Sequence, residues 1–260
     1  MTDFSVYTLA SSSKGNCVYV RLGEDELLID AGTSCKRISD ALKSIDSDLS
    51  RIKAIFITHE HTDHVAALET ISKKYAIPVH FTSPSAAAYL RSPKTEHTAK
   101  AAVIHPPVYC ERVGALTVKS FVTPHDSAAS VGFVITDGTP CHTVALATDI
   151  GCVTDEVFEA LIGVENVILE SNHDENMLLC GPYPYDLKRR ILSNHGHLSN
   201  ENCAAFVSRL AASGTKRILL AHLSQENNLP ELAYHSSLCL LQDTDVSLSV
   251  AAVAGPTKLV

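Results

Sequence analysis

The segment Thr58-His59-Glu60-His61-Thr62-Asp63-His64 packs three imidazoles and the Asp63 carboxylate into six positions, directly behind the apolar run Ala54 to Ile57. In an extended stretch, residues two apart share a face, so His59 and His61 can point at one ion. A turn into a helix would send Asp63 and His64 elsewhere, and one loop could thus feed two sites. A solitary surface histidine needs no such reading. Four metal-competent side chains behind a buried strand do. Imidazole-rich ligation suits zinc, while carboxylates and open water positions also accommodate manganese.

This heptapeptide resembles the H-x-H-x-D-H signature of the metallo-β-lactamase superfamily, whose members place a further histidine, an aspartate and a last histidine after later strands. The sequence meets each demand. His125 follows Val118 to Val122 in TPHDS, Asp149 follows Val144 to Ala147 in ATDIG, and His222 follows Ile218 to Ala221 in LAHLS. Each sits beyond the carboxyl end of an expected strand, where open α/β sheets form ligand crevices. The resemblance implies one ion on His59, His61 and His125, a second on Asp63, His64 and His222, and Asp149 bridging. It also implies that Asp63 orients the hydroxide such a pair generates.

Lactamases, thioesterases and nucleases share this fold, so other segments must choose among them. Gly196-His197-Leu198-Ser199-Asn200, a helix, and then Lys216 to Ser224 look like the end of the RNase Z-like nucleases. SSSKGN at Ser11 to Asn16, LLIDAG at Leu27 to Gly32, LESNHD at Leu169 to Asp174, ILSNHGHLSN at Ile191 to Asn200 and LAHLSQENN at Leu220 to Asn228 extend the resemblance to the YycJ (WalJ) family. Members of that family are described as metal-dependent DNA exonucleases. Ser12 departs from it, because that loop more often carries Gly.

Glu170 and His197 make sense as a catalytic pair, since a carboxylate raises an imidazole pKa and keeps it cationic to meet a phosphate or protonate a leaving oxygen. The plainer role for His197 is helix entry before Ser199. Lys188, Arg189 and Arg190 can grip phosphates or simply form a solvated face. Ser13 and Asn16 belong to a tight turn whose polar groups approach the metal pocket. His173 lies beyond another strand end, where it can touch substrate or make a loop hydrogen bond.

These loops need a scaffold. Apolar, β-branched runs recur along the chain, joined by turns in places and alternating with helical spacing elsewhere. Expected helices include Val65 to Tyr75, Asp155 to Ile162, Asp186 to Leu192, Asn200 to Ala212 and Leu232 to Leu241. Ser199 is a good N-cap and Gly214 a good terminator for the helix from Asn200. The pattern predicts a mixed α/β sandwich of one domain spanning residues 1–260, and the resemblance specifies an αββα fold of two mixed sheets flanked by helices. Ser92 to Val113, with Pro93, Pro106 and Pro107, reads as a long loop or flap.

The chain has 260 residues, 45% hydrophobic and 19% charged, which excludes disordered and low-complexity classes. Twenty-one basic against 29 acidic residues give −8, so no overall positive field draws in a polyanion. No basic leader segment opens the sequence, and no apolar run nears the roughly 18 residues of a membrane span. Eight cysteines without a C-x-x-C pair fit reduced thiols in a cytoplasm. The expectation is a two-metal phosphodiesterase, a DNA exonuclease that needs a nucleic acid and no membrane. Its rivals are a thioesterase of the glyoxalase II type and a catalytically silent regulatory module. A secreted lactamase is disfavoured by the missing export signal.

Overall fold

A computed structural model describes residues 3–241 and 244–260. The N-terminal part of the chain supplies β1 (Phe4–Ala10), β2 (Cys17–Leu22), β3 (Asp25–Ile29), β4 (Ile52–Phe56), β5 (Val79–Thr82) and β6 (Ala102–His105). The second sheet takes β7 (Cys110–Val113), β8 (Leu116–Val122), β9 (Val131–Thr136), β10 (Val144–Ala147), β11 (Asn166–Glu170), β12 (Arg217–Ala221) and β13 (Ser247–Val250). A last strand, β14 (Ala254–Lys258), returns to pair antiparallel with β1 and completes two sheets of seven strands each. Both sheets are mixed: β3 to β6 and β10 to β13 run parallel, while β1 to β3 and β7 to β10 are antiparallel.

Helices α1 (Cys35–Lys43), α2 (Thr62–Val65), α3 (Leu68–Tyr75), α4 (Ser83–Tyr89) and α5 (Glu96–Ala101) accompany the first sheet. With the second go α6 (Asp155–Leu161), α7 (Glu175–Cys180), α8 (Tyr185–Ile191), α9 (Asn200–Ala212) and α10 (Pro230–Leu238). Strand parity explains the layers. In β4, Ala54 and Phe56 face the core between the sheets with Phe133 and Leu219, whereas Ile55, and Ile57 just beyond the strand, face out beneath Ile38, Leu42, Leu68 and Ile71 of α1 and α3. In β11, Ile168 faces in, while Val167 and Leu169 pack under Val157, Phe206 and Leu210 of α6 and α9. Strands covered on both faces read as unbroken apolar runs, which is why they were visible without alternation.

The expected α/β sandwich is present, and several local expectations are corrected. Ser92 to Val113 is not one irregular flap, because it contains α5, β6 and β7. The amides of His97 and Thr98 at the start of α5 donate to Glu69 of α3, a cap from a distant helix that no local pattern reveals. The helix expected from Val65 to Tyr75 is broken between α2 and α3. There Ala31 N–H donates to His64 O and Ala67 N–H to Ala31 O, so the backbone is tied to the loop after β3. The apolar run Val246 to Val253 ends as a strand at Val250, and the following AGPTK pairs with the other sheet. The helix expected over Leu232 to Leu241 begins at Pro230, where the missing N–H is harmless, and stops at Leu238.

Candidate metal centre

Strand ends deliver the site. His59 leaves β4 through Ile57 and Thr58, His61 is the N-cap of α2, and Asp63 and His64 lie within that helix. From the second sheet come His125 after β8, Asp149 after β10 and His222 directly after β12. Asp30, Asp149 and His222 have φ of 62°, 55° and 57°, a left-handed conformation that non-glycine residues seldom adopt. Three strained turns therefore sit at the ends of β3, β10 and β12, where the fold holds Asp149 and His222 over one cavity and Asp30 behind His64.

The seven residues converge. The rings of His59, His61 and His125 meet edge-on with centroids 4.5, 4.9 and 5.1 Å apart. Asp63 Oδ2 lies 3.5 Å from His64 Nε2 and 3.6 Å from His222 Nε2. Asp149 stands between the groups, with Oδ2 at 3.3 Å from His64 Nε2 and Oδ1 at 3.5 Å from His222 Nε2 and 3.8 Å from His125 Nε2. These distances are long for hydrogen bonds. They suit neighbouring ligands of a common ion, since donors about 2.1 Å from a tetrahedral centre are about 3.4 Å apart.

The opposite ring nitrogens of four of the five histidines are engaged. His64 Nδ1 donates to Asp30 Oδ2 at 2.8 Å, and Asp30 also accepts from Thr58 N and Oγ1. His222 Nδ1 donates to Glu170 Oε1 at 2.8 Å, His125 Nδ1 to Gly196 O at 3.1 Å, and His59 Nδ1 contacts Thr58 Oγ1 at 3.1 Å. Such partners fix tautomer and ring orientation so that Nε2 faces inward. The buried Nε2 atoms of His59, His125 and His222 and the Oδ2 of Asp149 have no hydrogen-bond partner. Buried polar atoms left this way normally cost stability, and their convergence fits ligation of divalent cations.

The electrostatics agree. Burial disfavours charge on Asp63 and Asp149, but the facing imidazoles of His64 and His222 outweigh it and hold both carboxyls well below the usual range. Burial also opposes protonation of His64 and His222. Asp149 and Asp30 nevertheless push His64 well up, and Asp149, Asp63 and Glu170 push His222 to about 10. His59, buried beside the charge on His64, goes well below its ordinary value. The cluster is built to hold positive charge.

A cavity of about 330 Å³ opens over this cluster, lined by Ser13, His61, Asp63, Asp149, His197 and Arg190 among others. His197 Nδ1 donates to Glu170 Oε1 at 2.8 Å, and its side chain is 22% exposed. Burial works against its protonation, yet Glu170 and Asp149 raise it. Glu170 is held down to about 2, because His197 and His222 outweigh the burial that would raise it.

The remaining expected residues part company. Arg190 lies on the cavity wall, paired with Asp126. Lys188 instead donates to the carbonyls of Leu179 and Gly181 at 2.7 and 2.8 Å, tying α8 to the end of α7. The Arg189 guanidinium lies 5.8 Å from the Tyr185 ring centre. Asn16 is buried and bridges Ser12 to Asp63 and His64 rather than lining the cavity. His173 is buried with neither ring nitrogen partnered, and Asn172 reaches the cavity in its place. Sequence reasoning missed Asp30, Asp126 and Asn172. The signals were present, since Asp30 stands in LLIDAG and Asp126 follows His125. Gly32 is also part of the device: a Cβ there would stand 1.5 Å from Asp63 O, so only glycine lets this loop support Asp63.

Residues 26–223 match the family described as Beta-lactamase superfamily domain. Exodeoxyribonuclease YycJ of Bacillus anthracis is 35% identical over 249 residues, covering 92% of this chain and 89% of that protein. Exodeoxyribonuclease WalJ of Streptococcus pneumoniae serotype 2 (strain D39 / NCTC 7466) is 34% identical over 252 residues, covering 95% of this chain and 91% of its own length. This chain belongs to the YycJ/WalJ family of the beta-lactamase superfamily. The crystal structure of the metallo-beta-lactamase fold protein YhfI from Bacillus subtilis shares the fold, with a TM-score of 0.73 at 16% identity over 98% of this chain and 100% of that one. The fold and the ligand-competent clusters together make the YycJ/WalJ-family chain a metal-dependent hydrolase.

Proposed function

We propose that the protein is an exodeoxyribonuclease that works with two divalent ions, zinc or manganese. One observation carries the reading: His197, braced by Glu170, stands on the wall of the cavity into which seven potential ligands converge. The exodeoxyribonuclease relatives support it. His59, His61 and His125 would hold one ion and Asp63, His64 and His222 the other, with Asp149 between them. Two such ions supply acidified water and charge neutralisation at a phosphoryl group.

The chain's own groups do the rest. Asp63, with one carboxylate oxygen near both His64 and His222, orients the attacking water. His197, its Nδ1 occupied by Glu170, carries a proton on Nε2 for the departing oxygen. Ser13 and Arg190 border the cavity and meet the backbone of the strand, while Asn16 acts by steadying Asp63. Local cations act where the net charge of −8 does not. All eight cysteines are free thiols, and no helix among the described residues is long and apolar enough to cross a membrane. The thiols support a cytoplasmic setting.

The test uses end-labelled single- and double-stranded DNA and RNA with the metal-loaded protein, and Asp63→Ala and His64→Ala as controls. Stepwise loss of labelled mononucleotide from DNA, abolished in both controls, is expected. Hydrolysis of S-lactoylglutathione without any phosphodiesterase activity would overturn the proposal.

A further inference from the structure

A second group of metal-competent side chains stands where the chain passes between sheets. His80 of β5, His105 of β6 and Glu111 of β7 each offer one donor atom, and these atoms lie within 4.8 Å of one another. β6 is the last strand of the first sheet and β7 the last of the second, so the three donors span the two sheets at one edge of the sandwich. They share no residue with the His59, Asp149 and His222 groups.

We propose that His80, His105 and Glu111 form a zinc site, separate from the hydrolytic centre, that clips the edge of one sheet to the edge of the other. Two imidazoles and a carboxylate are a common zinc donor set, with a fourth position left for water. His80 Nδ1 and His105 Nε2 are 2.9 Å apart, close enough that one ring donates a proton to the other. Zinc would take the place of that proton, which the donating ring would then carry on its other nitrogen. Ligand nitrogens about 2.1 Å from a tetrahedral centre stand about 3.4 Å apart, so the two rings, nearly coplanar with centroids 5.2 Å apart, would open and tilt toward Glu111. A hydrogen-bonded histidine pair alone would need no third donor. Here Glu111 reaches it from the opposite sheet, and among the described residues its carboxylate accepts only from the neighbouring Arg112 N–H.

Each ring is held in place by a stacked aromatic neighbour. Phe56 stacks on His80 at 4.3 Å and 23°, and Tyr109 stacks on His105 at 4.0 Å and 7°. His80 is buried, and burial together with the nearby His105 pushes it down to about 4 despite Glu111. Burial also lowers His105. Both rings are pushed toward the neutral form, the one whose lone pair a metal can take. The connection from β6 to β7 contains Pro106 and Pro107, and an ion at its base would tie the crossing chain at both ends.

Zinc content per chain, measured by mass spectrometry of metals after saturation and gel filtration, tests the site independently of DNA hydrolysis. Wild type should retain one equivalent more than His105→Gln or Glu111→Gln, and both variants should keep nuclease activity. In the hydrolytic-centre variant His59→Ala/His64→Ala/Asp149→Ala, which breaks both ligand groups of that centre, zinc should still raise the melting temperature, and adding Glu111→Gln should abolish that rise. Glu111 is partly exposed, so its variant carries the test if His105→Gln fails to fold. Equal zinc content in wild type and Glu111→Gln would overturn the proposal, as would a zinc-dependent melting shift in the hydrolytic-centre variant that survives the added Glu111→Gln.

Discussion

His197 and His222 share one carboxylate oxygen: Glu170 Oε1 lies 2.8 Å from Nδ1 of each ring, whose centroids are 5.3 Å apart. The other oxygen, Oε2, accepts from the backbone of Ile150 and Leu198. Glu170 therefore orients a candidate metal ligand and the candidate proton donor at once.

That sharing separates two variants. His197→Ala should leave metal content unchanged while lowering kcat by about 100-fold or more, the usual contribution of a positioned acid. Glu170→Gln should lower both metal occupancy and kcat, because it loosens His222 as well. Metal analysis alongside single-turnover DNA digestion reads both quantities. Full activity in His197→Ala would remove that ring from the mechanism.

Asp30 holds His64 through Nδ1 and is itself fixed by Thr58. Asparagine tolerates the left-handed backbone at this position, so Asp30→Asn removes the charge with little conformational penalty. Loss of such a ligand-orienting partner commonly costs 10–100-fold in metal affinity. Calorimetric titration with zinc should show a loss of about that size. An unchanged affinity would mean that His64 orients itself.

The basic run on α8 divides in space. Arg190→Ala should raise KM for DNA and flatten its salt dependence, because this guanidinium borders the cavity. Lys188→Ala should lower the melting temperature with little change in KM, since its ammonium is spent on the carbonyls of Leu179 and Gly181. Equal effects on KM from the two variants would place both cations on the substrate path.

The ligand loops were legible because each of His59, His125, Asp149 and His222 follows a run of apolar residues that could only be a buried strand. A strand end is a local property, and the donors it carries are visible in the same few residues. What escaped depends on distant partners. Asp30 matters only because His64 comes to rest against it, and α5 exists as a helix because Glu69 caps it from α3. His80 lies outside every expected strand and His105 within the expected flap, so nothing joins them until the parallel pairing of β5 and β6 brings them together.

Glu69 also makes the α3 to α5 contact sensitive to acid. Burial would raise this carboxyl, but bonds from Thr98 and His97 outweigh it and hold it at about 2 against an ordinary 4.5. A folded-state pKa below the unfolded one means that the unfolded chain takes up the proton first. The stabilisation is therefore complete above pH 4.5 and is lost as pH falls toward about 2. Urea unfolding of wild type and Glu69→Gln between pH 6 and pH 3 should show wild type ahead at the upper end and the gap closing toward the lower. Titrating groups that do not touch Glu69 are common to both proteins, so their contributions cancel in the difference, and what is left belongs to Glu69 and its His97 partner. A gap that stays constant or widens in acid would show that the Glu69 charge does not support the start of α5.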